Sequence, residues 1–506
     1  MKTKNALFFS LLFNAVSAYS QEFIQREPQF FRTIFDGVVY ANSYYIGTNP
    51  AFLKWEKSDQ RLSVKTYFSE SGGNFKPFFT PGKENYYQVS LAGKKQISDA
   101  QIFSGSFSFL KNERDDWAWL TTKNYNPTSP FLLGDSTTGS TRYNVMSLSA
   151  RYSSIVCERF LIGAGLDFSV DEGLKKISPR PASDHRNIYF NLGVGYMLDD
   201  KTSFGFSLGL YDFNETINYS ADEGAVYTET ILLKFRGLDF PLRFTKKDES
   251  RYSFHNKYHL SGNFQHLSND LKLCGTIGIG FEKITLKDGG NSPTFEGFMR
   301  NDFYSVEAKL IYNPSKNISA GFYYSFDQQS LWARHPLYNV LINEDECQMH
   351  LAGGGIQYDL DSKISMGIEV EMIFSKRKNN DYYSTVYLKG NTLEWIPKIG
   401  LSYNWSENTW SFLSYSYSIN NVDDPYVSTS VQSNYYSNFT IKNTEFILAK
   451  FSTHSFYYRM ELEFENVGLF SLFLSFKTER PIESKIFIDT VRNYFSTGIE
   501  YRVQVY

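Results

Sequence analysis

The chain has 506 residues, of which 37 are Tyr and 45 Phe, yet its mean hydropathy is −0.37. That combination excludes a bundle of transmembrane helices and suits a β-barrel, in which only alternate strand residues touch lipid. A net charge of −3 gives no reason to expect a nucleic-acid partner, and three widely spaced cysteines, Cys157, Cys274 and Cys347, imply no disulfide framework.

Lys2 and Lys4 precede an apolar run from Ala6 to Val16, and the small residues Ala18 and Ser20 follow. This is the layout of a secretory signal peptide over residues 1–20, with a mature chain from Gln21. The run is too short for an anchor, which needs about 18 apolar residues. No Cys near the cleavage site marks a lipoprotein. Residues 21–60 lack periodicity, but Phe23, Phe30, Phe31, Phe35 and Tyr40 are too apolar for a free linker. The segment is expected to enter the barrel as a plug or hatch, with Phe30, Phe31, Phe35, Asn49 and Pro50 as plug residues. The stretch Gly47, Thr48, Asn49, Pro50, Ala51, Phe52, Leu53 resembles the one before the first strand of fatty-acid-transporter-like barrels; an ordinary Asn-Pro turn accounts for the same residues.

From residue 61 the chain alternates. Strands are expected at 61–68, 86–94 and 101–110, then a long loop over 111–141, then strands at 143–152 and 160–170. Ile188, Phe190, Leu192, Val194 and Tyr196 lead through Asp199, Asp200 and Lys201 into Phe204, Phe206, Leu208 and Leu210. A second excursion, from about Glu215 to Ser250, carries the apolar patch Ile231, Leu232, Leu233 and should fold back over the rim. The 301–327 stretch is the clearest repeat unit. Tyr304, Val306, Ala308, Leu310 and Tyr312 alternate with Ser305, Glu307 and Lys309, turn at Asn313 to Lys316, and return through Ile318, Ala320, Phe322, Tyr324 and Phe326. Each limb of roughly ten residues is long enough to cross a tilted bilayer span. Further hairpins turn at Asp361 to Lys363, Asn404 to Asn408 and Asn466, with a long loop over 420–451.

The last strand sets Phe495, Thr497, Ile499, Tyr501, Val503 and Val505 against Glu500, Arg502 and Gln504. It resembles the C-terminal insertion signal of outer-membrane barrels, with Tyr506 one residue out of register. Alternating short and long connections give about 18 strands, within 14–18, and both termini on the periplasmic side. The expected fold is all-β: a transmembrane antiparallel up-and-down barrel over 61–506.

The loop Tyr125, Asn126, Pro127, Thr128, Ser129, Pro130, Phe131, Leu132, Leu133, Gly134, Asp135, Ser136 carries a more specific likeness. So do Pro179 to Pro181, the Phe190 to Leu210 hairpin and Arg251 to His266. Together they resemble a Bacteroidota outer-membrane β-barrel family of unknown function. The resemblance implies an outer-membrane location and a setting near receptor systems; it implies no activity.

The alternation puts Glu307, Lys309, Glu369, Glu371, His255, His259, Arg459 and Glu461 on the lumen face. His255 and His259 share that face but lie roughly 13 Å apart, too far to ligate one metal. His185, His335, His350 and His454 show no Ser or acidic partner at a recognisable spacing. No cofactor, metal site or catalytic residue is expected, so the chain does not read as an enzyme. Asp115 with Asp116, or Glu344 to Glu346, reads as loop acid able to gather a cation or as solvated charge. Lys376, Arg377 and Lys378, and Lys246 with Lys247, read as contacts for lipopolysaccharide phosphates or as solubilising loop charge. Glycines 163, 165, 193, 195, 205, 209, 278, 280 and 367 share the inward parity and leave room for water, a ligand or a plug. The resulting expectation is an outer-membrane channel or transporter for an unidentified solute. The alternative is a non-catalytic barrel subunit of a receptor or secretion complex.

Overall fold

The computed structural model describes residues 49–55, 61–117, 122–123, 129–135, 137–177, 180–219, 232–235, 237, 241–244, 249–268, 270–290, 292–315, 317–429, 441–464, 467–484 and 486–504. Phe30, Phe31, Phe35, Lys246, Lys247 and residues 1–20, expected as a signal peptide, lie outside them.

Twenty-one strands follow in chain order among the described residues. They are β1 (Arg61–Gly73), β2 (Lys83–Ser98), β3 (Gln101–Trp117), β4 (Leu133–Asp135), β5 (Gly139–Cys157), β6 (Phe160–Lys175) and β7 (Ala182–Met197). Next come β8 (Thr202–Tyr219), β9 (Leu232–Phe235), β10 (Pro241–Phe244), β11 (Glu249–Leu267), β12 (Leu271–Asp288), β13 (Thr294–Ser315) and β14 (Ile318–Arg334). The rest are β15 (Leu341–Asp359), β16 (Ile364–Asp381), β17 (Val386–Ser406), β18 (Thr409–Thr429), β19 (Lys450–Phe464), β20 (Gly468–Glu483) and β21 (Arg492–Gln504). A 3₁₀ turn spans Pro50–Trp55, and one helix, α1, spans Ile441–Ile447.

Eighteen strands form a single antiparallel sheet in which each pairs with its chain neighbours, and β1 pairs with β21 from Arg61↔Gln504 to Gly73↔Arg492. The sheet is therefore a closed up-and-down barrel, and closure leaves no edge with unpaired N–H and C=O groups. The remaining three strands, β4, β9 and β10, make a small separate sheet. Short turns, such as those from β2 to β3 and from β15 to β16, share one rim with the start of β1 and the end of β21; the longer connections share the other.

Period-two alternation produces the two faces. In β8, Phe204, Phe206, Leu208 and Leu210 are exposed on the outside while Ser203, Gly205, Ser207 and Gly209 are buried within. Ile368 at 63% and Ile277 at 62% exposure would be costly in water, whereas a hydrocarbon surround suits both.

The strands outrun their expected ten-residue limbs: β3 continues to Trp117 and β13 has 22 residues. The reason is that their polar outer ends keep pairing beyond the apolar band. Glu344, Asp345 and Glu346 accordingly lie within β15 and not in a loop. The expected 420–451 loop is cut at both ends by β18 and β19 and contains α1.

Candidate functional site

The eight lumen candidates all lie on inward-facing positions, but cross-strand register sorts them into separate groups. Lys398 of β17 reaches Glu371 at 2.7 Å and Glu369 at 3.5 Å on the neighbouring β16, all three buried. Arg459 pairs with Glu461 at 2.6 Å, and Ser471 and Arg502 join them at 3.0 Å and 3.6 Å. Glu307 accepts the Tyr323 hydroxyl proton at 2.7 Å, and Lys309 is buried two positions along the same strand. His255 contacts Glu282 and Ser253, each at 3.0 Å, whereas His259 stacks on Phe303, so the two imidazoles serve different neighbours. The wall is thus lined by charges of both signs that hold one another across strands.

His185 corrects the sequence reading. Register aligns Asp171, His185 and Glu215 in one row across β6, β7 and β8. The imidazole bridges the Asp171 carboxylate and Glu215, the latter at 2.7 Å. Lys123, from the connection between β3 and β5, binds this row twice: its ammonium meets Asp171 at 2.8 Å and its backbone N–H donates to Glu215 at 3.2 Å. The partners are 14 and 30 residues from His185 in sequence, so only the hairpin register shows them. Arg377 is a second correction: it turns inward to Asp345 at 2.7 Å and is not a loop cation.

Lys123 is one anchor of a larger device. At the long-connection rim, the β4–β9–β10 sheet lies across the barrel mouth, against residues of the inner wall. Leu133 packs on Ile217 and Tyr219 of β8, and Leu132, Leu233 and Phe235 pack with Trp117 and Tyr143. Phe131 fills an apolar patch made by Ile284, Leu286, Met299, Ala333 and Ile342. A Cβ at Gly297 would lie 2.8 Å from the Phe131 ring, so glycine is what admits it. Ion pairs tie the sheet to the wall. Lys175 of β6 donates to Asp135 at 2.7 Å and to the Thr137 carbonyl at 2.6 Å. Lys234 of β9 meets Asp288 at 2.7 Å and Glu296 at 3.1 Å, while Arg251 binds Asp288 at 2.8 Å and donates to the Phe131 carbonyl at 3.0 Å. On the far side Gly237 approaches Asp381 and Ser384. Phe79 joins the Trp117 cluster, and its connection also meets α1, where the Phe78 N–H donates to Asn443 at 2.8 Å.

At the opposite rim the turn at Asn49 to Trp55 sits against the inner wall. Asn49 donates to the Val194 and Phe206 carbonyls at 3.0 and 3.3 Å, and Ser153 donates to the Ala51 carbonyl at 2.7 Å. Phe52 packs with Leu161. Cβ atoms at Gly163 and Gly193 would come within 2.2 Å of Ala51 and 1.9 Å of Asn49. These two inward glycines are the seat of the turn.

The mouth residues Asp135, Lys175, Lys234, Arg251 and Asp288 were not expected from sequence. One signal was available: inward positions near one end of several strands change from polar to apolar, as at Tyr143, Ile217, Tyr219, Ile284 and Leu286. An inner wall turns apolar where something packs on it. Among the described residues no group of three or more His, Cys, Asp or Glu could hold a metal ion, and no helix is long and apolar enough to cross a membrane, which says nothing of spanning strands.

Residues 50–502 match the family of unknown function DUF6850. The chain belongs to that family. Of the Tyr125 to Ser136 stretch, which carried the sequence likeness, residues 129–135 are described, and Phe131, Leu132 and Leu133 pack at the mouth. No curated protein matches the sequence. Solved structures that are similar include the ferric preacinetobactin receptor BauA from Acinetobacter baumannii, at 11% identity over 88% of this chain and 80% of that one, with a TM-score of 0.37. The copper transporter OprC is 7% identical over 88% and 81%, with a TM-score of 0.40. The monoaromatic hydrocarbon channel CymD is 10% identical over 90% and 91%, with a TM-score of 0.31. At such scores these likenesses carry no argument about solute or partner.

Proposed function

We propose that the chain is an outer-membrane channel or transporter whose lumen is covered at the outer mouth by its own inward-folded connections. The observation that carries this reading is the β4–β9–β10 sheet, which is held over a polar, charge-lined lumen by ion pairs to wall strands and not by continuous main-chain pairing. Side-chain latches of this kind can be exchanged for water or solute contacts without unfolding the barrel. Residues 1–20 are the signal that directs the chain to the membrane, and residues 21–60 form a plug that enters from the periplasmic side and includes the Asn49 and Pro50 seat. Passage of solute involves no bond making or breaking.

Reconstitution in planar bilayers tests the proposal. A current that rises on deleting residues 22–54, or on adding a candidate solute, supports it. A parent, an Asp135→Ala variant and an Asp135→Ala variant that also lacks residues 22–54, all folded and all without current, would refute it. The alternative, a receptor- or secretion-complex subunit, is favoured by one surface: the β14–β15 connection presents Leu337, Tyr338 and Val340 at 71, 74 and 54% exposure. Co-purification with a membrane receptor that Leu337→Glu and Tyr338→Glu abolish would favour that reading.

A further inference from the structure

We infer that the outward faces of β12, β13 and β14, near the long-connection rim, form a docking surface for the phosphate groups of a membrane glycolipid. Four cations point outward there: Lys283 and Lys287 of β12, Arg300 of β13 and Arg334 of β14. Register places Lys283 opposite Arg300, and Phe298 opposite Arg334. Like charges facing each other across a strand pair are destabilising unless an anion lies between them. Each cation instead rests against a ring. Lys283 lies 5.6 Å from the Phe298 centroid, Lys287 5.8 Å from Phe254, Arg300 4.9 Å from Phe281 and Arg334 4.9 Å from Trp332. A ring beneath a cation keeps its outer hydrogen-bonding directions open to an anion.

Elsewhere on the same rim, several outward cations meet carboxylates. Arg186 pairs with Asp212, Arg142 with Glu113, Lys83 with Glu70 and Lys389 with Asp424. In the four-cation patch Asp302 binds Arg300 at 2.9 Å, Glu344 lies opposite Trp332, and Arg334 donates to Asn339 at 3.3 Å, so among the described residues Lys283 and Lys287 meet no carboxylate of their own there. Below the patch, toward the short-turn rim, the same strands expose Ile277, Ile279, Tyr304 and Phe322. Cations above an apolar slope match an amphiphile with a phosphorylated head and acyl chains. A free phosphate would use only the upper half, and a protein partner would leave the slope in lipid.

The inference rests on the membrane embedding proposed above, which the insertion of outward-face arginine variants tests separately. The experiment refolds the mature chain in detergent and counts bound lipid by native mass spectrometry. The probes are diphosphoryl lipid A, the same lipid without its phosphates, and inorganic phosphate. One diphosphoryl lipid should be retained at least tenfold more tightly than the dephosphorylated one, and inorganic phosphate should not displace it at equal concentration. Lys283→Gln with Arg300→Gln, or all four cations changed to Gln, should remove that tenfold preference. Lys376→Gln with Lys378→Gln should leave it intact. Heat-modifiable gel mobility verifies that each variant is folded, and the two-site variant serves if the four-site one is not. Equal retention of both lipids, displacement by inorganic phosphate, or an unchanged preference in the folded Gln variants would overturn the inference.

Discussion

The pairing of Asp135 with Lys175 gives the sharpest test of the mouth, because both side chains are buried and they belong to different parts of the device. Asp135 is on β4 and Lys175 on the wall. Asp135→Ala would leave a buried ammonium without its carboxylate, and losing one partner of a buried pair costs roughly 3 to 5 kcal/mol. Lys175 keeps Thr137 as a partner at 2.6 Å through the carbonyl and 3.0 Å through the hydroxyl, so the low end applies. At about 1.4 kcal/mol per tenfold, the ratio of closed to open mouth should fall by about a hundredfold. Wall hydrogen bonding is untouched, so the barrel itself should remain folded. Asp135→Asn combined with Lys175→Met removes both charges and should restore closure, since replacing a whole buried pair is often neutral. Two measurements are needed: bilayer conductance, and amide exchange across 131–135. The reasoning fails if Asp135→Ala has the parent's conductance and the parent's protection at those amides.

Three more outcomes are expected. Ile368→Arg and Phe322→Arg should impair membrane insertion by roughly 2 to 4 kcal/mol, whereas Gly367→Arg and Ser319→Arg should insert; equal heat-modifiable mobility in all four would invert the assigned faces. Gly193→Val should expel the Asn49 to Trp55 turn from its seat while the barrel folds, which protease cleavage after Lys54 would report; an uncut variant would mean the seat is not selective. The Lys76 amine, in the connection after β1, is pushed down to about 8 by burial and by the nearby Arg492 cation. Below pH 8 both the packed and the opened connection carry the charge, and between pH 8 and about 10.5 only the opened one does. Packing should therefore strengthen as pH rises through that window, seen as slower intrinsic-corrected exchange at residues 74–82. In Lys76→Met the dependence should be flat.

The wall was legible because its physics is local. A strand with one face in lipid must alternate, and turns such as Asp199 to Lys201 break the alternation at a fixed rim. Asp199 shows why that turn is so readable: its carboxylate accepts the backbone N–H groups of Lys201 and Thr202 at 2.7 Å each, which holds its pKa below the usual carboxylate range. The mouth was hidden because its contacts are not local. Asp135 and Lys175, or Lys234 and Asp288, meet only after the connections fold back, and no spacing in the chain encodes that meeting. Lumen groups fall between these cases. Alternation put Glu369 and Glu371 on the inside, but the arrival of Lys398 needed the β16–β17 register.

The hydrogen-bonded seam between β1 and β21 has a consequence for how such a wall can change size. In a ring of antiparallel strands, deleting any single strand would bring two parallel-running neighbours together and send the two chain ends to opposite sides of the membrane. Every connection downstream of the deletion would also exchange rims, so polar loops built for one side would face the other. Insertions and losses that preserve a working protein must therefore come as whole hairpins. Because the seam joins residues more than four hundred positions apart, from Arg61 with Gln504 onward, no partial product of synthesis can complete the ring. Until the last strand arrives, both open edges must be shielded by something other than the chain itself.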